Sequence, residues 1–195
     1  MKLGRLLLRV TVGSIFVEHG TQKLFGWFGG PGPDGTGQFF ESVGLQPGRR
    51  NAIAAGLAEA GGGVMLAVGA ATPLAAAAVS SVMLTALRTV IWRDGIKTGT
   101  GGYELLLLAS ALALAESGPG SWSVDAIVGS ERTGVRWAAA ALGAAAAGST
   151  LAIALGRRPP GDGSAPVAEN ETAAASPTSA DAGSRRRGRA TGGTR

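Results

Sequence analysis

Five apolar segments dominate the sequence, and their length constrains the fold more than any other feature. A helix needs roughly 20 apolar residues to cross about 30 Å of hydrocarbon, because each residue adds about 1.5 Å. The first, second, third and fifth segments meet this requirement, whereas the fourth is short. In order, the segments are residues 3–27, 52–71, 74–92, 103–117 and 135–155.

Charge is scarce in this chain, as expected of a protein whose helices lie in lipid. Charged residues make up 16% of the sequence, against about a quarter in soluble domains. The second, third and fifth segments have almost no polar face, which surface helices of a soluble protein need. We therefore predict an all-α fold: an integral membrane four-helix bundle, a fifth transmembrane helix and a disordered C-terminal tail. The protein would be multi-pass in the lipid bilayer of the cell membrane.

The predicted organisation has three parts, which are residues 1–128 (helical bundle), 129–156 (additional transmembrane helix) and 157–195 (disordered basic tail). The tail is rich in Gly, Pro, Ala, Ser and Thr and has no apolar periodicity, so it cannot bury enough surface to fold. Its arginine cluster would either touch anionic lipid or stay solvated. No groove-reading motif accompanies the cluster, so we predict no nucleic-acid partner. The cluster consists of Arg185, Arg186, Arg187 and Arg189.

Basic residues beside the segments do not determine the orientation in the membrane. Five of them, Arg9 included, flank one side, and six flank the other. A clear excess of Lys and Arg is what marks the cytoplasmic side. The orientation is therefore left open.

The chain has no cysteine, which removes several kinds of redox chemistry. Disulfides, thiolate catalysis, iron–sulfur clusters and cysteine-based zinc sites all require that residue. His19 is the single histidine, so one chain cannot supply a bis-histidine haem site. The acidic residues near His19 lack metal-ligand spacing, and no metal site is predicted.

Six ionisable residues fall within or at the ends of the predicted helices, where an isolated charge costs at least about 2.5–3.5 kcal/mol. Counting from the helix ends at about 1.5 Å per residue puts His19 and Glu59 each roughly 12 Å deep, and Lys23 and Arg88 roughly 6 Å. These depths converge on one half of the bundle. The cluster is either a structural ion-pair network or a polar pocket for a small ligand or proton relay. Its members are Glu18, His19, Lys23, Glu59, Arg88 and Glu104.

Glycine and proline at residues 29–35 predict a non-helical loop after the first segment. No strand precedes this run and no Gly-Lys-Ser/Thr follows it, so it is not expected to bind phosphate. Phe39 and Phe40 then fall on one face of a short helix. This helix would lie at the membrane interface or fold back over the polar pocket, with the two phenylalanines as its lid.

Small residues on the second segment predict close packing against another helix, because they let two backbones approach. They are Ala52, Gly56, Ala60 and Gly63. The second and third segments are joined by Thr72 and Pro73, which predicts a tight antiparallel hairpin, since proline suits the first turn of a helix.

Several short motifs, taken together and in order, resemble the DoxX family over about residues 5–128. They are LRV at 8–10, HGTQKLFGW at 19–27, GGPG at 29–32, GT at 35–36, FFE at 39–41, GLAE at 56–59, GGYEL at 101–105, GPG at 118–120 and SVD at 123–125. The resemblance implies a four-helix membrane bundle. It also implies an association with oxidoreductases, because the family is named after a subunit of a thiosulfate:quinone oxidoreductase.

From the resemblance and the polar cluster we predict a membrane subunit of a redox system that is linked to quinones or to thiol and sulfur compounds. The cluster would bind a quinone-like or small anionic ligand, and a quinone is the cofactor considered. Two alternatives stay open: a non-enzymatic scaffold that docks soluble redox enzymes, and a small-solute transporter. Whether this chain is itself catalytic is left open, and no catalytic residue is assigned. Self-association is compatible with its glycine-rich helix faces.

Overall fold

The computed structural model describes residues 2–91 and 101–157, and all regular structure in these two stretches is helical, as predicted. A short 3-10 turn, Trp27–Gly29, follows the first helix, and a π-helical turn, Leu87–Ile91, extends the fourth. The α-helices are α1 (Lys2–Phe25), α2 (Gly32–Ser42), α3 (Gly48–Val68), α4 (Thr72–Ala86), α5 (Gly102–Ser117), α6 (Val124–Ile127) and α7 (Val135–Gly156).

The five apolar segments correspond to α1, α3, α4, α5 and α7. The prediction of a disordered tail over residues 157–195 lies, after Arg157, outside the described residues. Two helices, α3 and α7, are long and apolar enough to cross a membrane by length and composition. At 16 residues, α5 spans only about 24 Å.

The prediction that residues 29–35 are not helical was wrong for the second half of this run, because α2 begins at Gly32. Pro33 lies in the first turn of α2, where a backbone N–H has no partner within the helix and its absence costs nothing. Proline disfavours the interior of a helix far more than its first turn. The second half of the run is therefore the start of α2, whereas Gly30 and Pro31 precede it and are not helical.

Helices α1 and α3 pack along each other in antiparallel orientation at glycine contacts. A Cβ atom on Gly13 would lie 2.6 Å from the carbonyl oxygen of Gly63, and one on Gly20 would overlap the backbone of Ala60. Only glycine permits so close an approach of two helix backbones. The predicted packing role of the small residues on α3 is thereby confirmed for Gly56, Ala60 and Gly63.

The predicted hairpin is formed by α3 and α4. Helix α3 ends at Val68 and is capped by Gly69, whose φ of +69° suits glycine, and the N–H of Ala70 donates to the carbonyl of Met65 at 2.8 Å. Helix α4 then packs against α3, α5 and α7. The hydrophobic core lies between these helices and α1, and its larger buried residues include Phe16, Leu66, Val79, Met83 and Leu114.

Candidate functional site

A cavity of about 450 Å³ is lined by residues of α1, α2, α3, α4 and the first turn of α5, with Ala152 of α7. Most of its wall is apolar. Four of the predicted cluster residues line it, namely His19, Lys23, Glu59 and Glu104, and so does Tyr103. A mostly apolar cavity of a few hundred Å³ with a few converging polar groups is the usual form of a small-molecule site.

Lys23 of α1 and Glu59 of α3 form a buried ion pair in the cavity wall. The Lys23 Nζ lies 2.6 Å from the Glu59 Oε2, and the two side chains are 20% and 1% exposed. The glycine contact between Gly20 and Gly56, one turn away on each helix, brings the two backbones together at this height. A carboxylate buried to this extent is costly without a partner, so the pair holds Glu59 in place.

His19 and Tyr103 meet at the same cavity. The Tyr103 hydroxyl oxygen lies 3.5 Å from the His19 Nε2, at the limit of a hydrogen bond, and the ring centroids are 5.7 Å apart. Tyr103 is 46% exposed and stands in the first turn of α5 beside Glu104. The contact joins α5 to α1 and presents a hydroxyl group and an imidazole to the cavity.

Helix α2 covers part of the cavity with Phe39 and Phe40, the two predicted lid residues. It is attached to the start of α3, because the N–H of Gly48 donates to the Glu41 carboxylate at 3.0 Å. The backbones also touch there, since a Cβ atom on Gly37 would lie 2.7 Å from the Arg49 nitrogen. These contacts hold α2 against α3. Whether α2 moves as a lid stays a prediction.

Glu18 and Arg88, the other two members of the predicted cluster, do not line the cavity. Glu18 is exposed, and its carboxylate accepts a hydrogen bond from the Gln22 side chain at 3.3 Å. The Arg88 Nη1 donates instead to the hydroxyls of Ser149 at 3.2 Å and Thr150 at 3.0 Å, both on α7. Counting along a helix estimates depth, but it does not say which neighbour a side chain faces.

Tyr103 was not among the predicted site residues, although it precedes Glu104. Several uncharged polar residues that line the cavity were also missed, and they are Asn51, Ser81, Thr85 and Thr89. Helical spacing offers a signal for three of them: Ser81, Thr85 and Thr89 lie four residues apart and therefore share one face of α4 and its extension. Among the described residues, no group of three or more His, Asp or Glu side chains could hold a metal ion.

A second polar cluster lies at the other end of α1, and it is centred on Arg9. This side chain is 3% exposed. Its Nε donates to the carbonyl of Ala67 at 3.0 Å, its Nη1 to that of Pro119 at 2.6 Å, and its Nη2 to that of Trp122. A guanidinium has five N–H donors, so one side chain can satisfy several carbonyls. Arg9 thus joins α1 to the end of α3 and to the α5–α6 connection.

Asp125 of α6 lies at the same end of the molecule as Arg9 and caps the start of α4. Its Oδ1 accepts the N–H of Ala71 at 2.8 Å, and its Oδ2 accepts the N–H and hydroxyl of Thr72 at 3.1 and 3.0 Å. Burial raises the pKa of Asp125, but these hydrogen bonds and one from Ser130 lower it by more, so its pKa lies below the ordinary value. The carboxylate replaces the helical partners that the first N–H groups of α4 lack.

Comparison with known proteins identifies a family model that covers the cavity residues of α1 to α4, but not Tyr103, Glu104 or Ala152. The family model described as DoxX matches residues 4–92. The Bacillus subtilis (strain 168) protein named "Putative oxidoreductase CatD" is 34% identical over 127 residues, which are 65% of this chain and 88% of that protein. No solved structure matches the chain.

Proposed function

Because the chain belongs to the DoxX family, whose members are membrane proteins, we propose that it is a membrane subunit of a redox system and binds a small ligand in its cavity. One observation carries the ligand site. The buried Lys23–Glu59 pair lies in the wall of a cavity that is otherwise mostly apolar. Ionisable groups in such a setting are retained mainly where they bind or transfer something.

A bundle of α1, α3, α4 and α5 with α7 as a fifth span is the membrane arrangement that we propose. Two observations support it. Helices α3 and α7 have the length and composition of spans. Large apolar side chains are also exposed along every one of these five helices, which suits contact with lipid. Examples that are more than half exposed are Leu7, Leu57, Leu74, Leu106 and Leu151.

The chemistry of the cavity supports a ligand with an apolar body and a polar end. Phe39 and Phe40 offer aromatic surface, and Met83 adds an adaptable apolar contact. His19 and Tyr103 offer hydrogen-bonding groups. A quinone, the cofactor suggested by the family, fits this set of residues, since its ring would pack on the aromatic wall and its oxygens would accept hydrogen bonds. When bound, a quinone would supply two-electron redox chemistry.

The redox assignment draws its support from the similarity to a protein whose name describes an oxidoreductase. The chain itself contains no cysteine, so a link to thiol or sulfur compounds would need a partner protein. We therefore propose that this chain contributes the membrane-embedded ligand site and that a partner contributes the other half-reaction.

Mass spectrometry of what co-purifies with the protein tests this proposal. The full chain is purified in mild detergent as wild type, Glu59→Gln and Glu116→Gln, and its small molecules are extracted and identified. Glu116 is the matched control, because it is an exposed glutamate at the far end of α5 and does not line the cavity. We expect a quinone or another small molecule in wild type and Glu116→Gln, and its depletion in Glu59→Gln.

The same experiment distinguishes the alternatives. If no preparation contains a small molecule, the ligand site is refuted. If identical protein partners accompany all three preparations without any small molecule, the scaffold function is favoured. Glycine-rich helix faces give that scaffold little support, because Gly13, Gly20, Gly56 and Gly63 are already used in the contact between α1 and α3.

A further inference from the structure

Negatively charged side chains outnumber positively charged ones in the cavity wall, and this excess affects which ligands can bind. Its described lining contains one lysine and two glutamates, Lys23, Glu59 and Glu104, besides His19. One positive and two negative side chains leave a formal charge of −1. We infer that the cavity accepts an uncharged ligand and rejects an anionic one, and that Glu104 is the residue that determines this selectivity.

The two cations that the sequence offered to an anionic ligand are both engaged. Lys23 lies 2.6 Å from the Glu59 carboxylate. Arg88 donates to Ser149 and Thr150 on α7 and does not line the cavity. An anion beside Lys23 would therefore meet a pair without net charge, and displacing Glu59 would leave a carboxylate buried without a partner. Among the described residues, the cavity has no cation left for an anion to use.

Glu104 also disfavours an anionic ligand. It lines the cavity from the first turn of α5, and its side chain is partly buried there. A second negative charge in surroundings of low polarity repels an anionic ligand over several ångströms. Glu104 makes no ion pair with a described residue, so no described cation neutralises its charge.

The remaining polar groups in the wall suit a neutral ligand with hydrogen-bonding oxygens. Tyr103 can donate through its hydroxyl, and His19 can donate or accept according to its tautomer. Asn51, Thr85 and Thr89 add uncharged polar groups. This inference rests on the proposed ligand site and narrows it, since it removes the anionic half of the ligand class predicted from the sequence.

Two probes that share a ring system and differ in charge test the selectivity. One is the uncharged 2-methyl-1,4-naphthoquinone, and the other is the anionic 1,4-naphthoquinone-2-sulfonate. Their dissociation constants are measured on the full chain in nanodiscs of uncharged lipid. We expect the wild type to bind the uncharged probe at least about tenfold more tightly, and Glu104→Gln to reduce that ratio about fivefold or more. Glu116→Gln removes the same charge from the far end of α5 and is expected to leave the ratio within about twofold.

The possible outcomes test three claims separately: the charge selectivity, the role of Glu104 and the ligand site itself. If the wild type binds the sulfonate as tightly as the uncharged probe, the inference is overturned and the ligand site itself stands. A preference that Glu104→Gln leaves unaltered would mean that the size of the sulfonate, rather than Glu104, excludes it, and would overturn the role of that residue. If neither probe binds, the proposed function fails as well. Should Glu104→Gln not fold, Glu104→Ser supplies a second uncharged variant.

Discussion

The Lys23 Nζ lies 2.6 Å from the Glu59 Oε2, with the carboxylate 1% exposed, so a buried ion pair joins α1 to α3. Removing one member leaves the other without a partner, whereas removing both removes the desolvation cost along with the attraction. We expect Lys23→Met to lower the free energy of unfolding by about 2–4 kcal/mol, somewhat less than for a fully buried pair because Lys23 is partly exposed. Thermal unfolding in detergent measures the loss.

The control for this prediction is the double variant Lys23→Met with Glu59→Leu. It is expected to recover most of the stability, because no uncompensated charge remains. A double variant that is less stable than Lys23→Met alone would contradict the idea that the lost stability comes from a buried charge without a partner.

The contact between α1 and α3 predicts opposite effects for two neighbouring glycines. A Cβ atom on Gly63 would lie 2.7 Å from the Gly13 carbonyl oxygen, whereas one on Gly61 meets nothing within 4 Å. We expect Gly63→Ala to cost about 1–3 kcal/mol, since the two backbones must separate. Gly61→Ala should stabilise the protein by up to about 1 kcal/mol, since alanine favours the helix. Equal melting temperatures for the two variants would contradict this packing.

Arg9 is expected to be the most sensitive arginine in α1. Arg9→Met leaves the carbonyls of Ala67, Pro119 and Trp122 without their donor, and each buried unsatisfied group costs about 1–3 kcal/mol before relaxation. Arg5, which donates to the Ser117 carbonyl at 2.8 Å in an exposed setting, is the control. We expect Arg5→Met to cost less than about 1 kcal/mol. Denaturant or thermal unfolding measures the loss of stability in each variant. A larger loss for Arg5→Met than for Arg9→Met would contradict the structural role of Arg9.

Asp125 predicts a dependence of stability on pH. Its pKa in the folded protein lies below the ordinary value, so its contribution is present above about pH 4 and is lost as the pH falls through the lowered pKa. Asp125→Asn should therefore be less stable than wild type at pH 7. The difference in melting temperature between the two proteins should become smaller below about pH 4. Melting curves between pH 7 and pH 3 measure this difference, with Asp34→Asn as an exposed control. A difference independent of pH would refute the role of the charge.

Tyr103 predicts an effect on the ligand rather than on the fold. Tyr103→Phe removes only the hydroxyl, whose net contribution to a hydrogen bond is about 0.5–1.5 kcal/mol, so we expect affinity for the uncharged naphthoquinone to fall roughly two- to tenfold. The melting temperature without ligand should change little, because this side chain is about half exposed. A loss of stability without a loss of affinity would mean that the contact with His19 is structural.

Much of the fold could be predicted from the length and composition of the apolar segments and from the spacing of small residues. Segment length and apolar composition predicted α1, α3, α4, α5 and α7, and small residues four apart predicted which face of α3 meets another helix. Counting along each helix, at about 1.5 Å per residue, also predicted that the polar groups fall in one half of the bundle. Four of these groups, His19, Lys23, Glu59 and Glu104, line one cavity.

Rotation about each helix axis was decided only by tertiary packing. Counting placed Glu18 and Arg88 in the same half of the bundle as the cavity residues, yet Glu18 is exposed and Arg88 donates to α7. Arg9 resembled a flanking charge in the sequence, but it is buried against three backbone carbonyls. Every residue carries a carbonyl, so no pattern of side chains reveals which ones an arginine will meet. Depth is a property of one helix, whereas the direction of a side chain depends on the neighbours that packing supplies.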